Sequence, residues 1–190
     1  MNQMVKLSVA VSLFVLAGCA GQQWTVVRSA GPNPLTNQRS FIVEPLHFEH
    51  VLVGAKTEDT YLAGKTPETI ATWQGDKNEM NNLFLQSLVG RANGLQVGPA
   101  LQQPAAGTFI LRPICTFIEV GTYNGFVNID SRLELSVQVL DPSGAVLDEI
   151  AVRTIVPASI YNPSSGGRLR SASKQLGARV AGYLHWRTGV

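Results

Sequence analysis

Charge is scarce in this sequence. Asp, Glu, Lys and Arg make up 15% of its 190 residues, and 15 bases nearly balance 13 acids. A chain with neither a basic surplus nor a clustered basic face does not read as a nucleic-acid binder. Histidine is also rare, with three residues, and no G-x-S-x-G occurs. No catalytic, metal or nucleotide motif stands out, so the sequence reads as a non-enzyme without a bound cofactor. Long apolar runs are missing as well. The longest, Leu7 to Leu16, has ten residues, whereas a spanning helix needs about 20. Cysteine occurs twice, as Cys19 and Cys115.

The first of these cysteines has a context. Lys6 precedes the apolar run, and small residues Ala17 and Gly18 lead into Cys19. A basic residue, a short apolar segment and small residues before a cleavage point form a secretory signal. Leu16-Ala17-Gly18-Cys19 resembles the lipobox of bacterial lipoproteins. The resemblance implies that residues 1–18 are a signal peptide. It also implies that Cys19 becomes a lipid-bearing N-terminus, with a diacylglyceryl thioether and an N-acyl chain such as palmitate. Residue 20 is Ala rather than Asp. In the sorting rule of such lipoproteins this places the chain on the outer membrane, facing the periplasm. A cysteine alkylated at sulfur cannot pair, which leaves Cys115 without a disulfide partner. Its neighbours Ile114, Thr116 and Phe117 make it a small buried hydrophobe.

Residues 19–38 then read as the lipidated N-terminus and a tether, broken by Gly31-Pro32-Asn33-Pro34, with Trp24 to Val27 a candidate short strand by which part of it docks. Residues 39–190 read as a single α+β periplasmic domain. Phe41 to Leu46 is the first strand. Thr66-Pro67-Glu68 opens a helix with a capping hydroxyl, an N1 proline and a first-turn acid, running to about Ala92. Thr108 to Val120 is an apolar strand whose Pro113 argues for an edge position or a bulge. From Ile129 to Val139 apolar and polar residues alternate, and Asp141-Pro142-Ser143-Gly144 turns into a partner strand. Asp148 falls on the apolar side of that partner. A last helix covers about 168–187. The order β-α-β-β-β-α predicts an antiparallel-rich sheet with two helices on one face.

Three stretches resemble a family of small bacterial envelope lipoproteins that is itself a domain of unknown function. They are Phe41-Ile42-Val43-Glu44-Pro45-Leu46, the helix around Asp76 to Leu88, and Val156-Pro157-Ala158-Ser159 through Gly182-Tyr183-Leu184. These motifs are structural. The layout also looks like small periplasmic accessory domains that bind other proteins, which implies a binding or assembly module with an envelope protein partner. The alternatives are an envelope hydrolase with an unrecognised site, or a structural subunit that self-associates through the Pro113 strand.

Two surfaces stand out as candidate interaction sites. Tyr123 and Phe126 flank Asn124-Gly125, a preferred type I′ hairpin turn. They are either a cross-strand aromatic pair or a docking point. Arg168 and Arg170 follow Gly166-Gly167 at the start of the last helix, where cations are unfavourable unless an anion answers them. Ile160 and Tyr161 pose the same question as the hairpin. Glu44, His47, Glu49 and His50 cluster in sequence, but strand geometry sends His47 and His50 to opposite faces, so they read as solvated rather than metal-bound.

Overall fold

A computed structural model describes residues 23–100 and 107–190. The expected signal peptide and Cys19 lie outside the described residues. In chain order the elements are β1 (Thr25–Ser29), β2 (Ser40–Val43), β3 (Leu52–Val53), β4 (Lys56–Thr57), α1 (Glu58–Leu62), α2 (Pro67–Arg91) and β5 (Gln96–Pro99). There follow β6 (Phe109–Glu119), β7 (Thr122–Tyr123), β8 (Asn128–Ile129), β9 (Ser131–Leu140), β10 (Val146–Val156) and α3 (Ser165–Thr188). The fold is α+β, as the periodicity predicts. The main sheet runs β1-β10-β9-β6-β2-β5, with β3 and β4 attached alongside β6. Its β1-β10-β9-β6 half is antiparallel, while β2 lies parallel to both β5 and β6.

Alternation builds the core. Leu133, Leu135, Val137 and Val139 of β9 are buried, and Ile150, Val152 and Val156 of β10 join them. Helix α2 starts at the predicted cap, where the Thr66 side chain accepts from the Thr69 N–H. It contributes Trp73, Met80, Phe84 and Leu88 to the same core. Lys77, which interrupts that apolar stripe, extends its ammonium to Glu58 at 2.8 Å and lies over the Phe48 ring. Burying the stem while pairing the head satisfies both halves of the side chain. Helix α3 presents Leu169, Ala172, Leu176, Val180 and Leu184. The two long helices come unusually close at Gly177, where an added Cβ would stand 2.3 Å from the Phe84 carbonyl oxygen. Ser173 donates to the Met80 carbonyl at 2.6 Å beside it.

Two expectations are corrected. Residues 24–38 are not a free tether. β1 pairs with β10, Leu35 is fully buried, and Asn33 donates to the Arg187 carbonyl at 2.7 Å. Contacts with the domain reach back at least to Trp24, whose ring packs on Tyr183. Second, β6 is not an edge strand, because β9 flanks it on one side and β2 and β3 on the other. Pro113 is tolerated because its carbonyl, which accepts from the His47 N–H, faces the side where the chain has left the β2 ladder at Pro45. The missing N–H falls in that gap. A register shift does occur on β6, two residues later, between Cys115 and Phe117. Among the described residues the main path of the sheet ends at β1 and β5. β1 carries a bulge between Val26 and Arg28 and an exposed cation, both of which discourage edge-to-edge pairing.

Candidate functional site

The 121–130 hairpin is built differently from a two-residue turn. Tyr123 pairs with Asn128, leaving a four-residue loop. The Asn124 side-chain oxygen accepts from the N–H groups of Phe126 (3.0 Å) and Val127 (2.7 Å), and Gly125 takes φ +86°. The preference of Asn for bonding its own backbone two residues on explains the change. Tyr123 and Phe126 consequently do not face each other across strands. Phe126 stands 99% exposed, and Val127 and Ile129 are exposed behind it. The neighbouring 157–164 loop carries Ile160 (71% exposed) and Tyr161 (95% exposed). The two loops are tied at their bases. The Ala158 N–H donates to Asp130 at 2.9 Å, and the Ser165 hydroxyl donates to the Gly121 carbonyl at 3.0 Å. Five large apolar side chains thus share one end of the molecule, at the ends of β6 and β10 and the start of α3.

Arg168 and Arg170 of α3 are both engaged within the chain. Arg168 is fully buried. Its guanidinium donates to the Ser131 hydroxyl at 2.9 Å, to the carbonyls of Asn162 and Pro163 at 3.0 and 2.7 Å, and to the Ser165 hydroxyl at 3.1 Å. Arg170 pairs with Asp76 of α2 at 2.5 Å. That carboxylate lies against the helix start, since a Cβ on Gly166 would meet it at 2.5 Å. The negative charge that answers the α3 N-terminus therefore comes from within the chain.

Two open hollows mark the other surfaces. One, of about 600 Å³, is lined by Glu44, His47, Glu49, His50 and Arg112. Glu44 is already engaged there by Arg112 at 2.7 and 3.0 Å and by His47 at 3.0 Å. The Arg112 bond, opposed by partial burial and assisted by His47, holds the Glu44 carboxyl below its ordinary value. The other hollow, of about 680 Å³, lies where β1, β10 and β9 meet, and Gln23, Arg132, Glu134, Glu149, Arg153 and Arg179 border it. Glu134 is paired with Arg132, Glu149 accepts from Ser136, and Arg179 donates to the Arg153 carbonyl. Among the described residues, His, Cys, Asp and Glu do not gather in threes that could hold a metal ion. Burial pushes the Cys115 thiol far up from its ordinary value. His185 bonds the Arg91 carbonyl at 3.0 Å near the C-terminal end of α3, far from Ser164 and Ser165 at its start.

A further charged cluster lies in the interior. Asp148 is completely buried on β10. It accepts from the Tyr183 hydroxyl at 2.5 Å, from Arg187 at 2.6 and 3.1 Å, and from the Ala30 N–H at 3.1 Å. Arg187 also reaches the Ser29 hydroxyl and the Ala30 carbonyl. Its one signal in the sequence is an acid on the apolar side of a strand.

No family model and no curated protein matches this sequence. Solved structures do. Protein XCC0632 from Xanthomonas campestris, of family DUF330, is 14% identical over 85% of this chain and 92% of its own, with a TM-score of 0.50. The PelC dodecamer subunit from Paraburkholderia phytofirmans is 14% identical over 83% of this chain and 97% of its own, with a TM-score of 0.45. A neuraminyllactose-binding hemagglutinin homolog from Helicobacter pylori is 10% identical over 83% and 85%, at 0.36. Identities this low speak to fold alone, and the fold this chain shares with the Xanthomonas protein is that of a domain of unknown function.

Proposed function

We propose that this chain is an envelope lipoprotein in which acyl chains on Cys19 hold a non-catalytic binding or assembly module against the outer membrane, on its periplasmic face. One observation supports it above the rest. Trp24, whose ring packs on Tyr183 of α3, lies five residues after the cysteine of the lipobox-like run. Five residues span at most about 18 Å. A domain on so short a leash works at the membrane surface, where its partners are other envelope components. Each buried CH₂ contributes about 0.8 kcal/mol, so the two or three chains of a lipoprotein N-terminus make attachment stable where one would not.

The test is Cys19→Ser. The expected result is loss of metabolic acyl labelling and departure of the protein from the membrane fraction, with the fold intact. Undiminished labelling of that variant would sink the anchor. The binding role is tested by crosslinking in detergent-solubilised membranes, where recurrent capture of one envelope protein is expected and solitary behaviour counts against an assembly module.

A further inference from the structure

The chain enters β1 from the same end of the molecule that carries the apolar loops. β1 is antiparallel to β10, with Thr25 opposite Ala151 and Ser29 opposite Asp148. Gln23 and Trp24 therefore lie along β10 in the direction of Val156, and Gln23 borders the same hollow as Arg153. From Gln23 to Cys19 the chain can extend by about 14 Å. From Arg153 to the end of β10 the distance is about 10 Å. An anchor at Cys19 can thus reach the level of the 157–164 loop, beside the 121–130 hairpin.

Those loops have the composition of a membrane interface. Neither Val120–Ile129 nor Ile155–Gly167 contains an Asp, Glu, Lys or Arg. Yet they carry Phe126, Val127, Ile129, Ile160 and Tyr161 in exposed positions. None of these five packs into the core, so their exposure is not required by the fold. Aromatic side chains with an apolar body settle at the headgroup level of a bilayer, and an uncharged loop enters without a desolvation cost for ions.

Building on the proposed anchoring, we infer that residues 122–129 and the 157–164 loop insert into the phospholipid surface beside the acyl chains and fix the orientation of the domain on the membrane, with Asp130, which accepts from the Ala158 N–H, at their base outside the apolar layer. The insertion is apolar, so it does not depend on anionic lipid and does not fade with salt.

The test uses the lipidated full-length protein in phosphatidylcholine vesicles, with an environment-sensitive fluorophore on Phe126→Cys. Cys115 is buried and does not compete for the label. Ser143→Cys, in the exposed turn at the opposite end of the β9–β10 hairpin, is the reference position. The expected result is a blue-shifted Phe126→Cys label that loses most of its emission to nitroxide-bearing lipids, in low and high salt alike. The Ser143→Cys label stays in water. Flotation with the vesicles reports the anchor separately. Protein that floats while both labels remain in water overturns the insertion and leaves the anchor standing, and the loops then belong to a protein partner. Protein that lacks an acyl chain on Cys19 overturns the anchor and the inference with it. Phe126→Ser with Tyr161→Ser is expected to leave flotation and the melting temperature unchanged while abolishing quenching at a label on Val127→Cys. Quenching that survives this change would also refute the inference.

Discussion

Replacing Asp148 by Asn tests the most consequential buried interaction in the domain. The carboxylate accepts four hydrogen bonds, two from Arg187, one from Tyr183 and one from Ala30, and is wholly shielded from water. Asn preserves the shape but withdraws the charge, and its amide hydrogens meet donors. Arg187, whose side chain is only 11% exposed, is left as an uncompensated cation. Breaking a buried pair from one side costs about 3–5 kcal/mol. For a domain of this size each kcal/mol moves the melting temperature by about 2–4 °C, so the drop is about 6–20 °C. The pH dependence follows from the same contacts. Burial raises the Asp148 carboxyl, but Arg187, Tyr183 and the Ala30 N–H outweigh it and hold the group below its ordinary value. A carboxyl lowered in the folded state binds its proton more readily when unfolded. Its stabilisation is therefore present above the unfolded value near ~4 and is lost as pH falls through the folded one. Melts between pH 7 and pH 2 check both points. Wild type should lose stability in acid, and Asp148→Asn should start lower and show a flatter acid limb. A variant that melts within about 1 kcal/mol of wild type at pH 7 would refute the reasoning. Removing both charges, as Asp148→Leu with Arg187→Met, should recover most of the loss.

Phe84 and Leu176 are both fully buried where α2, α3 and the sheet meet, so truncating either to Ala should cost about 2–5 kcal/mol in a chemical melt. A midpoint unmoved in both would mean that the helix registers are wrong. The two arginines of α3 should separate sharply. Arg168→Ala strands buried carbonyls and hydroxyls and should cost several kcal/mol. Arg170→Ala removes a pair whose arginine is 38% exposed and should cost about 1 kcal/mol or less. Equal melts for the two would contradict that assignment.

What could be read in advance follows from how local the cause was. The alternation of β9 and the Thr66-Pro67-Glu68 cap act within a few residues, and both appear where expected. β1 shows in the sequence only as a short strand candidate at Trp24 to Val27, because Thr25-Val26-Val27-Arg28-Ser29 is short and exposed throughout. It is held by partners more than a hundred residues away, among them Arg187 and Asp148. Pro113 points to an edge or a bulge when its own strand is considered alone; β2 ends at Val43 and pairing resumes only at His47, which leaves room for the missing N–H. The α3 arginines call for an anion at the helix start, but the sequence does not say which one. Only the fold shows that Ser131 and two loop carbonyls converge on one guanidinium, and that Asp76 of another helix meets the second. The aromatic pair at the hairpin failed for a local reason, the capture of two N–H groups by Asn124.

The buried cluster and the proposed membrane orientation are coupled through β1. That strand is five residues long and has no core side chain of its own. Its hold on the domain is the ladder to β10, the Arg187 bonds to Ser29 and Ala30, and the Asp148 bond to the Ala30 N–H. If the staple is lost and β1 peels from β10, the leash from Cys19 grows to about 14 residues, up to the Asn33 and Leu35 contacts, with a reach of ~20 Å. A longer leash lets the domain tumble, and apolar loops no longer meet the bilayer in one pose. Asp148→Asn should therefore float with vesicles as wild type does, yet show weaker quenching of the Phe126→Cys label, measured below its own melting temperature. Protease cleavage between Arg28 and Arg39 should rise in parallel. Full quenching together with increased cleavage would show that the loops hold the membrane unaided, and that the staple serves stability alone.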